Sequence, residues 1–213
     1  MDTSFITINT HSSIRLQTSL GTVIYVDPFG FKTEPHDADL ILITHTHFDH
    51  FSPDDIARVR TPHTAFVMPA YNMREFIETG FTDESVAFLT PHEKAMPLPG
   101  IEIETVPAYN ISKSFHPEDK AWMGYVVVMD DMRVYIAGDT DDLPENREIE
   151  CDVALVPVGG TYTMNAREAA AFVNALKPTV AIPEHYGSVA GSAGDGEAFA
   201  KLVNPEIQVD IKL

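Results

Sequence analysis

The sequence predicts an α+β fold in which two β-sheets pack together and helices lie outside them. Short apolar segments, several with a two-residue period, dominate the first half, and strand–helix–strand order occurs in both halves. The hydrophobic fraction is 44%, which allows a substantial core in 213 residues. No Pro/Ser-rich linker or short repeat divides the sequence. We therefore interpret residues 1–213 as one domain.

The predicted strands of the first half lead to a histidine-rich segment. Strands are expected at 5–8, 14–16, 22–26 and 40–44. The second and third of these are expected to form a hairpin. A helix is expected to follow the histidine-rich segment, because Ser52 can cap it and Pro53 suits its first position.

The remaining elements alternate between strands and helices. Strands are expected at 64–68, 85–89, 101–106, 124–129, 132–137, 179–182 and 207–211, and helices at 73–78, 165–176 and 197–203. The alternating pattern of 101–106 indicates an edge or half-exposed strand. Asn165 and Glu168 form the pattern of a capping box at the start of the longest helix.

Composition excludes some function classes. The net charge is −18, from 32 acidic and 14 basic residues, which opposes the binding of nucleic acid. Cys151 is the only cysteine, so an internal disulfide is excluded, and a reducing compartment, the cytoplasm, is expected. We find no signal peptide pattern and no apolar segment long enough to span a membrane.

A cluster of imidazoles and one carboxylate follows the apolar strand at 40–44. It contains four candidate metal ligands: His45, His47, Asp49 and His50. Side chains two apart on extended backbone point to the same side, so His45 and His47 can hold one ion. Asp49 and His50 follow where the chain turns and can face a second ion.

Two simpler interpretations of this cluster exist. One is a surface loop that happens to be rich in histidine. The other is a structural site for a single metal. Structural zinc sites usually contain several cysteines, whereas this chain has a single cysteine.

Further ligands are expected at the ends of later strands, where loops present functional groups. Asp139 follows Gly138 and can bridge two ions through its carboxylate oxygens. His185 follows the strand at 179–182. Glu184 is a rival ligand, but neighbouring side chains on extended backbone face opposite ways.

The sixth group is left open between three residues. His116 lies on a loop before the strand pair that ends in Asp139, and we favour it. Asn110 on the same loop and His11 are the alternatives, and His11 also suits a supporting position at the pocket rim.

These residues give the chain a resemblance to the metallo-β-lactamase superfamily. The motif His-x-His-x-Asp-His stands at 45–50, and the later Gly-Asp-Thr and Pro-x-His motifs stand at 138–140 and 183–185. The resemblance covers the whole chain in order. It implies a four-layer αββα sandwich with the metals at one edge of the two sheets.

A narrower resemblance is to small hydrolases related to ascorbate-6-phosphate lactonase. Residues 24–29, 106–110, 116–117 and 124–125 look like features of that branch. The resemblance implies that one ion takes His45, His47 and His116 and the other takes Asp49, His50 and His185. Asp139 would bridge them. Tyr109 and Asn110 occupy the position where the superfamily usually has its third histidine, which leaves that ligand open.

The resemblance further implies a metal-dependent hydrolase. A hydroxide held between two divalent ions would attack a small-molecule ester, lactone or phosphoester. Zinc is expected, with manganese, nickel or iron also compatible with these ligands. Asp27 is a candidate partner for an imidazole N–H.

The rival function classes are a nuclease of the same fold, a redox enzyme, and a metal-binding or sensor protein without catalysis. The sequence does not indicate an oligomeric state.

Overall fold

Two facing β-sheets form the centre of the structure, a computed structural model that describes residues 1–81 and 85–213. The strands of the first sheet lie in chain order: β1 Ile6–Thr10, β2 Ser13–Gln17, β3 Val23–Val26, β4 Ala38–Leu42, β5 Arg60–Pro69 and β6 Val86–Leu89. The second has the order β13-β12-β11-β10-β9-β8-β7. Its strands are β7 Lys94–Leu98, β8 Ile101–Pro107, β9 Met123–Met129, β10 Met132–Ile136, β11 Val153–Pro157, β12 Val180–Glu184 and β13 Gln208–Val209.

Each sheet combines an antiparallel and a parallel part. In the first sheet β1, β2 and β3 pair antiparallel, and β3 to β6 pair parallel. In the second sheet β7 to β10 pair antiparallel, and β10 to β13 pair parallel. Parallel strands end at the same edge, so the loops that follow β3, β4, β10 and β12 can present their side chains together.

Apolar side chains from both sheets fill the space between them. Leu40 and Leu42 of the first sheet belong to the same buried cluster as Val127, Leu155 and Ile182 of the second. Helices cover the two outer faces: α1 Pro53–Val59 and α2 Met73–Glu78 pack on the first sheet, and α3 Ala166–Leu176 and α4 Asp195–Ala200 pack on the second. The predicted αββα sandwich is therefore confirmed.

Local sequence signals account for the start of two helices. The Asn165 side chain accepts hydrogen bonds from the backbone N–H groups of Arg167 and Glu168, and Glu168 accepts from the backbone N–H of Asn165. The Ser52 hydroxyl caps α1, and Pro53 stands at its first position. These two starts are as predicted.

The structure differs from the expected elements at two places and decides one alternative. β8 lies between β7 and β9, so it is not an edge strand, and its alternating burial confirms the half-exposed alternative. β7 was not predicted, because its side chains are half-buried or exposed and carry little apolar periodicity. α4 begins at Asp195 rather than at Glu197 and ends at Ala200.

Candidate metal centre

The predicted ligands gather at the edge of the sandwich where the parallel strands end. The segment from His45 to His50 follows β4, Asp139 follows β10, and His185 follows β12. Gly138 has a φ of +64°, and an added Cβ would lie 3.2 Å from the carbonyl oxygen of Met123. Glycine at this position therefore lets the chain turn beside β9 and place Asp139 in the site.

Three imidazoles form a first ligand group, which consists of His45, His47 and His116. Their ligand atoms all lie within 4.8 Å of one another. His45 Nε2 lies 3.0 Å from His47 Nδ1, so these two nitrogens face the same point. His45 and His116 are buried, and His47 is half-buried. The structure brings together the three residues that were assigned to the first ion.

Asn110 fixes the orientation of His116. The Asn110 side-chain oxygen accepts a hydrogen bond from the backbone N–H of His116 and lies 3.2 Å from its Nδ1. This contact favours a proton on Nδ1 and leaves Nε2 free to bind a cation. The Asn110 amide nitrogen donates to Asp141 and to the carbonyl oxygen of Tyr162. Asn110 therefore lies behind His116, and His116 is the residue that reaches the first group.

Trp122 closes the back of the first group. Its ring centre lies 4.9 Å from those of His45 and His47 and 5.7 Å from that of His116. Its Nε1 donates a 2.8 Å hydrogen bond to the side-chain oxygen of Asn72. Sequence reasoning missed Trp122, because only the folding of the 110–121 loop brings it against the imidazoles.

A second ligand group contains one carboxylate and three imidazoles, namely His11, Asp49, His50 and His185. All four are buried, and their ligand atoms lie within 4.8 Å of one another. Asp49 Oδ2 lies 3.2 Å from His11 Nε2, 3.8 Å from His50 Nε2 and 3.9 Å from His185 Nε2. This group includes the three residues that were assigned to the second ion.

His11 belongs to the second group, whereas the sequence suggested it as a reserve ligand for the first. It occupies the turn between β1 and β2, with a φ of +52°. Its carbonyl oxygen accepts a hydrogen bond from the backbone N–H of His185. This contact joins the β1–β2 turn to the end of β12. Glu184, the rival ligand, is instead buried beside Ser12, and burial raises its pKa to about 7.

Asp139 lies between the two groups. Its Oδ2 is 3.1 Å from His116 Nε2 of the first group and 3.1 Å from His185 Nε2 of the second. Its Oδ1 is 3.3 Å from His50 Nε2. The Asp139 carboxylate is thus the group that touches both sets of ligands.

Asp27 orients histidines of both groups. Its Oδ2 lies 2.7 Å from His50 Nδ1, which fixes a proton there and turns His50 Nε2 into the site. The same carboxylate accepts hydrogen bonds from the backbone N–H and the hydroxyl of Thr44. The Thr44 hydroxyl oxygen lies 2.9 Å from His45 Nδ1. Asp27 therefore acts on His50 directly and on His45 through Thr44.

Two imidazoles of the first group are neutral. Burial lowers the pKa of His45 well below its usual value, and the charge on His50 adds to this effect. Burial also lowers the pKa of His47. Both side chains are therefore uncharged at neutral pH, which is the form that binds a metal.

The second group and Asp139 hold opposite charges close together. Burial opposes a charge on His50, but Asp139 and Asp27 outweigh it and raise the His50 pKa to about 10. Burial likewise opposes ionisation of Asp139, but His185 and His50 lower its pKa well below the usual value. An ion bound here would take the place of protons as the positive charge among these carboxylates.

The atoms that face the centre fit a cation. Within residues 1–81 and 85–213, four Nε2 atoms and one carboxylate oxygen of the centre are buried and make no hydrogen bond of regular geometry: His11 Nε2, His50 Nε2, His116 Nε2, His185 Nε2 and Asp139 Oδ1. The four nitrogens instead lie 3.1–3.3 Å from carboxylate oxygens of Asp49 or Asp139. Buried polar atoms without partners are rare in folded proteins, and several converging on one point are typical of ligands for a metal ion.

A cavity of about 220 Å³ adjoins both groups. His47 and His116 of the first group line it, as do Asp49 of the second group and Asp139. A small molecule in this cavity would therefore lie against the side chains that face the two candidate ion positions.

Comparison with known proteins agrees with the fold and the centre. The β-lactamase superfamily domain matches residues 5–185, and the chain belongs to this superfamily. A relative from Thermococcus kodakarensis, named as a UPF0173 metal-dependent hydrolase, is 34% identical over 200 residues, covering 88% of each chain.

Two solved structures extend the likeness. A protein from Parabacteroides distasonis, described as a metal-dependent hydrolase, is 32% identical with a TM-score of 0.81, covering 98% of this chain and 92% of the other. A metallo hydrolase from Ignicoccus hospitalis is 26% identical with a TM-score of 0.76, covering 97% and 93%.

Proposed function

We propose that the protein is a hydrolase that uses two divalent metal ions to cleave a small-molecule ester, lactone or phosphoester. The observation that carries the proposal is the position of Asp139, which contacts both ligand groups beside one cavity. The names of the relatives, which are metal-dependent hydrolases, support the same class of reaction.

Each group would hold one ion, with Asp139 shared between them. His45, His47 and His116 would hold the first, and Asp49, His50 and His185, with His11, would hold the second. Two such ions supply a Lewis acid for the substrate oxygen and lower the pKa of water towards neutrality.

Neighbouring residues position the candidate ligands and the attacking water. Asn110 and Asp27 hold His116 and His50 in the tautomers that direct Nε2 inward. Asp49 lines the cavity and is held by His11, so its carboxylate is placed to orient a water molecule beside the substrate. Trp122 covers the imidazoles of the first group from behind and keeps bulk water from that side.

Zinc is our proposed metal, since imidazole and carboxylate are the ligands of catalytic zinc sites. We also propose a relation to ascorbate-6-phosphate lactonase, and this concerns only the type of reaction, which is hydrolysis. We also propose a cytoplasmic enzyme with a small-molecule substrate and without nucleic acid or membrane partners. The net charge of −18 and the single cysteine support this. In the described part of the chain, no helix is long and apolar enough to cross a bilayer.

Metal content and turnover of His47→Ala test the proposal, with the exposed His63→Ala as control. We expect the wild type and the control to bind two ions per chain by elemental analysis and to hydrolyse members of an ester, lactone and phosphodiester panel. His47→Ala should lose one ion and most of the turnover. Two ions retained by the variant would contradict the ligand assignment, and metal binding without any turnover would favour a sensor.

A further inference from the structure

The cavity beside the metal centre has one polar side and one apolar side. The polar side consists of candidate ligands and Asp139. The apolar side is formed by three aromatic residues and one aliphatic residue: Phe48, Phe115, Tyr162 and Val189. A substrate whose reacting group meets the ligands must therefore place its remaining atoms against these side chains.

Two of these aromatic residues are more exposed than their size predicts. Phe48 is 68% exposed and Phe115 is 45% exposed. Phe115 meets Tyr162 edge-to-face with ring centres 4.8 Å apart, and Phe48 meets Phe29 in the same way at 6.1 Å. The rings are held in place by neighbours, yet part of their apolar surface remains uncovered beside the centre. Such a surface at a cavity favours an apolar group of a ligand.

Among the described residues, no lysine or arginine lines the cavity. Lys113 is 2.6 Å from the carboxylate of Asp141, and the Arg147 guanidinium binds that of Asp142. A phosphate group away from the two ions would find no Lys or Arg to bind it, and its desolvation against the aromatic rings would be unfavourable.

The cavity is also small. Its volume of about 220 Å³ lies below the range of roughly 300–1,000 Å³ that is typical of pockets for drug-sized ligands. One ring or branched alkyl group beside a carboxylic ester is the size of substrate that suits it.

We propose that the substrate is a small uncharged ester or lactone with an aromatic or branched apolar group beside its carbonyl, and that Phe115 and Tyr162 select this group. The inference rests on the proposed hydrolase function and narrows it. In the reaction, water oxygen bonds to the carbonyl carbon and the carbon–oxygen ester bond breaks. One water proton goes to the leaving alcohol oxygen, and the carboxylic acid releases the other to solvent.

Three substrates test this selection in the zinc-loaded enzyme: methyl phenylacetate, methyl acetate and methyl 4-(phosphonooxy)phenylacetate. We expect kcat/KM for methyl phenylacetate to exceed that for methyl acetate by about tenfold or more, since an apolar pocket distinguishes small groups by about that factor. The third ester carries its phosphate on the ring, away from the reacting carbonyl, and should be hydrolysed most slowly. Equal rates for methyl phenylacetate and methyl acetate, or fastest hydrolysis of the phosphorylated ester, would overturn the inference and leave the hydrolase function intact.

Substitutions test whether Phe115 is responsible for the preference for an apolar group. Phe115→Ala should bring the ratio between the two methyl esters to within about threefold. Ile111→Ala is the matched control, because Ile111 lies on the same loop, is 64% exposed and is not among the residues of the cavity wall. It should keep the wild-type ratio, and an unchanged ratio in Phe115→Ala would remove the assigned role of this ring.

Binding provides a test that does not depend on turnover. Phenylacetohydroxamic acid and acetohydroxamic acid share one metal-binding head and differ by the ring. Calorimetry on the zinc-loaded protein should show about tenfold tighter binding of the first, with the difference lost in Phe115→Ala. Ring-dependent binding without turnover of any ester would refute the hydrolase function and support the pocket. Equal affinities, or no binding of either compound, would refute the pocket.

Discussion

The two ligand groups of the candidate metal centre differ in charge and in burial. The first consists of three imidazoles, one of which, His47, is half-buried at the cavity. The second is fully buried and includes the carboxylate of Asp49, and its His50 is held by Asp27. A negative ligand in a buried position attracts a divalent cation more strongly than neutral imidazoles do. We therefore expect the second position to fill first and the first position to release its ion more easily.

The largest effect is expected for Asp139→Asn, which tests whether the groups depend on each other. The change removes the negative charge between them, so both ions should bind more weakly. Loss of a partner that only orients a ligand typically costs 10–100-fold, so we expect hydrolysis to fall by about 100-fold or more. Elemental analysis after dialysis should find fewer than two ions per chain. Full metal content with full turnover would show that the groups are independent.

His11→Ala tests the composition of the second group. His11 contacts Asp49 and shares the cluster with His50 and His185, so its loss should weaken binding at the second position by about 10–100-fold. The first position should be unaffected. Its occupancy can be read separately from the fluorescence of Trp122, the only tryptophan, which packs on His45 and His47. Zinc affinity at the second position can be measured by competition with a chelator. A change in the fluorescence titration of the first position, with no change in the chelator competition, would reverse this assignment of His11.

Asp27→Asn is expected to act on both positions, but unequally. Its carboxylate touches His50 directly and reaches His45 only through Thr44. We expect about tenfold weaker zinc binding at the second position and a smaller change at the first. Chelator competition measures the second position, and Trp122 fluorescence measures the first. Asp37→Asn is a suitable control, because Asp37 accepts hydrogen bonds from Arg15 and Tyr25 away from the ligand groups. Equal losses at both positions would mean that the Thr44 contact matters as much as the direct one.

The smallest effect is expected in the pH dependence of stabilisation by zinc, and it involves only the second group. In the metal-free protein the His50 pKa is raised to about 10 from an unfolded value of 6.5. The charged form therefore stabilises the metal-free fold fully below pH 6.5, and this contribution is lost as the pH rises towards 10. A cation at the second group must displace that proton, so zinc should raise Tm more at about pH 8 than at about pH 6. A zinc-induced shift independent of pH would contradict the charged state of His50.

The sequence predicted more of the first group than of the second. The candidate ligands after β4, β10 and β12 were predicted to lie together because apolar strands ending in His or Asp are visible in the sequence, and the structure brings them together. His11 was only a reserve candidate for the first group, and the structure places it in the second, since its position depends on a backbone contact between the β1–β2 turn and His185. Trp122 was missed for a similar reason, because it packs on the imidazoles through a loop with no periodic pattern. Contacts between distant segments are decided by packing, which a single sequence does not display.

The pairing of His11 with the end of β12 also has a consequence for how the protein is made. Ser188, in the loop after His185, contacts His11 across 177 positions of the chain. A polypeptide still emerging from the ribosome cannot complete the second group until almost its entire length is free. All three imidazoles of the first group have emerged once residue 116 is free, so this group can be completed well before the second.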